Sequence, residues 1–142
     1  MTRITLDQAN QIITTAFAKA EELGLKPMTV AVMDAGGHLI ALQRQDGSST
    51  LRPKIAMGKA GGALALGLSS GKIGDMAEAR PTFINAVGAI APHGIVPTAG
   101  GVIIVDETKQ PIGAVGVTGD LSDSDEACAL AGIAAAGLTA QA

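Results

Sequence analysis

The chain has 142 residues, enough for one domain built on one core. Hydrophobic residues make up 47% and charged residues 16%, a balance that excludes a disordered chain. A net charge of −3, ten scattered basic residues and an aromatic content of 1% argue against a nucleic-acid surface, which needs a basic stripe and stacking aromatics.

In chain order, Thr5-Leu-Asp-Gln8 has capping-box spacing, and Ile12, Ile13, Ala16, Phe17, Ala20 and Leu23 recur at helical spacing until Gly24. These residues predict a helix from about Leu6 to Leu23. Because that helix is amphipathic and carries Asp7, Lys19, Glu21 and Glu22, it reads as neither a signal peptide nor a membrane anchor. No apolar run is long enough to span a bilayer, so the expected location is the cytoplasm. Met28–Asp34 and His38–Arg44 read as two strands joined by an Ala35-Gly-Gly37 turn. Gln45–Thr50 is a polar loop, and Pro53 suits the first turn of a helix reaching Leu66 or Gly67. Gly58, Gly61 and Gly62 lie inside that helix and cost it propensity, so a close packing contact is expected there.

Ser69-Ser70 can cap a short helix to Ala79, and Pro81 can start another reaching about Ala91. Pro92-His-Gly94 and Pro97–Gly101 read as loops. Gly100–Asp106 and Pro111–Asp120 then form a second hairpin, and Ser122 or Asp123 is the expected cap of a last helix. Two hairpins among helices make the sheet antiparallel and the fold α+β. Glycines at 113, 116 and 119 mark a close approach to that strand by another backbone or by a ligand. With Thr118, Asp120, Asp123, Asp125 and Glu126 following, the pattern resembles a small-molecule site more than a plain core.

Several residues are candidates for chemistry. His93, held between Pro92 and Gly94, is the first, as a proton carrier or an iron ligand, with an ordinary surface-loop histidine weighing equally. Arg44, Arg52, Lys54 and Lys59 crowd the polar loop and the next helix, where they can hold a carboxylate; a solvated face is the plainer reading. Among the acidic residues, Asp125 is a candidate ligand contact and Glu126 a candidate proton carrier, although capping alone explains much of that group. Gly100, Gly101 and Thr118 are candidate ligand-binding positions on the glycine-rich hairpin. The single cysteine, Cys128, excludes an internal disulfide and reads as a buried small residue. Low charge and much apolar surface favour a homo-oligomer.

Val32-Met-Asp-Ala-Gly-Gly-His-Leu39, Arg44-Gln-Asp-Gly47, Ile55-Ala-Met-Gly-Lys-Ala60, Gly100-Gly101, Ile112–Gly119 and the Ser-Asp-Ser-Asp-Glu-Ala-Cys128 run together resemble the GlcG/HbpS-like family over nearly the whole chain. The resemblance implies a profilin-like fold: an antiparallel sheet of about five strands flanked by helices. Four strands are evident, and the fifth is expected in Ile95–Thr98 or near the N-terminus. The resemblance also implies dimers or larger assemblies, and a small ligand, haem among the possibilities. His93 is then the candidate axial ligand, with Arg44, Arg52 or Lys59 on its carboxylates. An alternative is a cofactor-free isomerase or lyase acting on a carboxylated metabolite, with His93 or Glu126 moving the proton.

Overall fold

The computed structural model describes residues 2–142. Helix α1 (Leu6–Glu22) starts at the expected capping box: Gln8 N donates to Thr5 Oγ1 at 3.1 Å and Thr5 N donates to Gln8 Oε1 at 3.0 Å. Strands β1 (Thr29–Asp34) and β2 (Leu39–Arg44) follow, then helices α2 (Arg52–Leu66), α3 (Ser70–Ala79) and α4 (Pro81–Gly88). Strands β3 (Gly101–Val105) and β4 (Pro111–Thr118), helix α5 (Ser122–Ala135) and strand β5 (Thr139–Ala140) complete the chain. The fold is α+β and profilin-like, as expected. Its one sheet has the order β2-β1-β4-β3-β5, and every neighbouring pair is antiparallel.

The fifth strand is neither in Ile95–Thr98 nor at the N-terminus. It is the two-residue β5, paired with Ile104 and Val105 of β3. Two residues are too few to show a strand period, and pairing with the edge of β3 makes the strand.

The strands alternate between two helical layers, as a period of two requires. Val30, Val32, Val102, Ile104, Val115 and Val117 face α1 and α5, where they meet Ile12, Ile13, Ala129 and Ile133. Met33, Ile103, Val105 and Ala114 face α2. That second face is unusually flat because Gly101 and Gly116 are register partners in β3 and β4. A Cβ on Gly116 would fall on the Ala56 carbonyl, and one on Gly101 would fall on the Lys59 carbonyl. Gly101 and Gly116 therefore answer to a close approach by a helix backbone, whereas a Cβ on Gly113 would meet Ile4 and the Met33 carbonyl, and one on Gly119 would meet Met28 and the Pro27 carbonyl.

The glycines of α2 serve a matching purpose on the helix's other side. Cβ atoms there would press on Val96 from Gly58, on His93 from Gly61 and on the Gly94 carbonyl from Gly62. The loop before β3 can then lie against α2.

Two helix starts differ from expectation. Neither Ser122 nor Asp123 caps α5; Leu121 holds the cap position and no side chain bonds the helix start there. The Ser122 hydroxyl is 2.5 Å from the Thr98 hydroxyl instead. Ser69 begins α3 without a side-chain cap, and its hydroxyl accepts from Ile103 N at 3.2 Å. Both hydroxyls serve long-range contacts. Among the described residues, no helix is long and apolar enough to cross a membrane.

Candidate functional site

The candidate residues fall into three places. The first is a buried polar junction at the C-terminal end of β4. Lys59, on the sheet-facing side of α2, is 2% exposed. Its Nζ donates to the Val117 carbonyl at 2.9 Å and to Asp125 Oδ2 at 3.1 Å. The other Asp125 oxygen accepts from Asp120 N at 2.9 Å. Burial pushes the Lys59 ammonium below its ordinary value of 10.5, against the pull of Asp125, and neighbouring Arg52 lowers it further. Burial likewise pushes the Asp125 carboxyl up, against the Asp120 amide and Lys59. Each group would be costly alone, and the pair makes both tolerable.

Gly100 belongs to this junction. Its φ of +122° is open to glycine, and a Cβ there would lie 2.5 Å from the Val117 oxygen and 2.7 Å from Lys59 Nζ. Gly101 makes room for α2, as described. Arg52 closes the junction from the start of α2, where its Nη1 donates to the buried Thr118 hydroxyl at 2.7 Å. Lys59, Asp125, Thr118, Gly100 and Gly101 are thus brought together, with their polar atoms turned on one another. The hydrophobic neighbours of Lys59 in sequence had given no sign of its partner, 66 residues away.

Arg44 is separate from these residues. It lies at the end of edge strand β2 and lines an open cleft of about 560 Å³ with Phe17, Glu21, Lys26 and Asp46. The sequence cluster Arg44, Arg52, Lys54 and Lys59 therefore does not form one cationic site.

The second place surrounds His93. Its exposed ring stands on Gly61, where a Cβ would come 2.7 Å from His93 Cδ2. Nε2 lies 2.8 Å from the Gly37 carbonyl in the β1–β2 turn and must donate to it. Two cavities share Pro92 and His93 in their linings. One of about 150 Å³ is lined by Ala35, Gly36, Gly37, Leu64 and Ala65. The other, of about 270 Å³, is lined by Lys54 and Met57. In the sequence, Lys54 stands out only as a member of the cationic run.

The third place holds Glu126, in a cleft of about 330 Å³ with Asp75, Glu78, Thr98 and Asp123. His93 does not line it, so His93 and Glu126 would serve different ligands. Among the described residues, no three His, Cys, Asp or Glu side chains gather as a metal-binding group. Cys128 is buried, and burial followed by the charge of Asp125 pushes its thiol up to about 11.

The model of the family described as "Haem degrading protein HbpS-like" matches residues 4–134. The chain belongs to the HbpS-like family. Among solved structures, PduOC in complex with haem aligns with a TM-score of 0.87 at 20% identity, covering 99% of this chain and all of that one. HbpS aligns with a TM-score of 0.81 at 28% identity, covering 94% of this chain and 90% of its own. Klebsiella pneumoniae protein ORFY aligns with a TM-score of 0.85 at 25% identity, covering 96% and 93%. No curated protein sequence matches the chain.

Proposed function

We propose that this HbpS-like protein binds haem, with His93 as the axial ligand. One observation carries the reading: an exposed imidazole packs on a glycine and lines two cavities. The residue types present fit the group. An imidazole suits iron, while Met57, Leu64, Ala65 and Pro92 offer apolar contact to a flat ring in a chain without Trp or Tyr. With Nε2–H given to Gly37, the lone pair that a metal takes sits on Nδ1. The Gly37 bond then acts as the orienting contact that a metal-ligating histidine commonly makes through its other nitrogen. Haem, when bound, supplies one-electron iron chemistry. Membership of the family and the haem complex of PduOC support the reading.

Assembly into a homo-oligomer belongs to the same proposal. Leu39, Leu51, Phe83 and Ile90 are large apolar side chains left exposed, and Ile90 is 80% exposed. Light scattering of the purified protein tests it.

The test of haem binding is a haemin titration of the wild type and His93→Ala, followed by the Soret band. Saturation near one haem per chain, lost in the variant, is the expected result. Equal binding by both would remove His93 from the role, and no saturable binding would overturn the proposal.

A further inference from the structure

We infer that the groove along α2 selects ligands bearing a free carboxylate, and that Lys54 is the residue that holds it. This rests on the placement of the ligand beside His93 proposed above. Lys54, Met57, Gly61, Leu64 and Ala65 follow one another at helical spacings of three, four, three and one, so they form one stripe on α2. Residues of that stripe line both cavities, which also share Pro92 and His93. Their linings otherwise contribute backbone, methyl and methylene groups, and Lys54 is the one lysine or arginine in either.

The other candidate cations are committed elsewhere. Lys59 is buried against Asp125, Arg52 bonds Thr118, and Arg44 lines a different cleft. Among the described residues Lys54 has no ion pair and no hydrogen bond, and the first turn of α2 carries no acidic side chain. A cation without a partner at the rim of an apolar cavity favours an anionic group on the ligand that fills it. From residue 54 to residue 61 the helix axis rises roughly 10 Å. The ligand is therefore an apolar body with its acidic end separated from the centre that meets His93 by about that span or less. Haem, with carboxylates on one edge, belongs to this class, and so does metal-free protoporphyrin.

The test uses haemin, haemin dimethyl ester and metal-free protoporphyrin on the intact protein. Wild type, Lys54→Ala, Lys54→Arg and His93→Ala are compared, haemin compounds by the Soret band and protoporphyrin by fluorescence. Lys54 is exposed, so its variants should melt with the wild type, which a thermal scan checks. Lys54→Ala should weaken haemin binding about tenfold, Lys54→Arg should retain it, and the wild type should prefer the acid to the ester by a similar factor. That preference should vanish in Lys54→Ala. Equal affinity of the wild type for acid and ester, or unchanged binding by Lys54→Ala, overturns the inference. Binding of protoporphyrin and haemin that needs Lys54 but ignores His93 sinks the axial-ligand reading and keeps the carboxylate. If neither compound binds the wild type, both fall.

Discussion

Lys59 Nζ and Asp125 Oδ2 lie 3.1 Å apart with both side chains almost wholly buried, joining helices α2 and α5 that pack on opposite faces of the sheet. The pair works as a cross-brace: Val117 O and Asp120 N take up further valences, and Gly100 leaves room for the lysine. No buried side-chain nitrogen or oxygen among the described residues lacks a partner.

Removing one member of this pair strands the other. Lys59→Met should cost about 3–5 kcal/mol, because Asp125 then stays buried without its counter-charge. The double variant Lys59→Met/Asp125→Leu should recover much of that loss. Urea denaturation of the single and double variants gives the coupling directly. Additive losses would show that the pair does not act as a unit.

Gly116→Ala tests the seating of α2 on the sheet. The new methyl would meet the Ala56 carbonyl and come 3.1 Å from Ala60 N, and neither backbone atom can yield without moving the helix. A loss of about 3 kcal/mol or more is expected, at the upper end of overpacking costs. A melting temperature equal to that of the wild type would contradict the contact.

Gly61→Ala should behave differently. The methyl would come 2.7 Å from His93 Cδ2 and 2.9 Å from its Cβ; the ring can rotate away, but the Cβ moves only with the backbone of its exposed loop. Alanine also favours the helix by about 1 kcal/mol. That gain offsets part of the cost of shifting the loop, so stability should fall less than in Gly116→Ala, while haemin affinity falls because the imidazole is displaced. Paired melting and Soret titrations separate the two effects.

Acid should weaken the turns. Asp106 lies below its ordinary value of 3.8 because the Gln110 amide and Thr108 hydroxyl donate to it, and Asp120 because the Lys26 and Leu121 amides do. Partial burial pushes Asp34 up, but the His38 and Gly36 amides outweigh it and leave it below 3.8. Each folded value lies below the unfolded one, so the stabilisation is present above about 3.8 and is lost as pH falls through the folded values. Urea midpoints between about pH 5 and pH 3 should drop, and Asp106→Asn should drop less steeply than the wild type.

Cys128 should be inert in the folded protein. With its thiol pushed up to about 11 and its side chain buried, a thiol reagent near neutral pH should label it only after denaturation. Mass spectrometry of native and urea-treated samples checks this, and rapid labelling of the native protein would contradict its burial.

The sequence by itself determined the local elements. The capping box at Thr5, the helical spacing from Ile12 to Ala20, the Gly36-Gly37 turn and the two hairpins all depend on residues a few positions apart, where propensity and periodicity act. Those hairpins also implied an antiparallel sheet, and the order of motifs implied the family. Tertiary structure alone decided what the glycines and charges do. The sequence favoured a ligand over a packed core at the stretch holding Gly101 and Gly116, and only the tertiary structure shows Ala56 and Lys59 of α2 seated on them. Lys59 read as a solvated or carboxylate-holding cation, and the structure buries it against a partner 66 residues away. Strand β5 and the contact of His93 with Gly61 have the same origin. A contact between distant residues depends on which surfaces the whole chain brings together, and no local spacing records that.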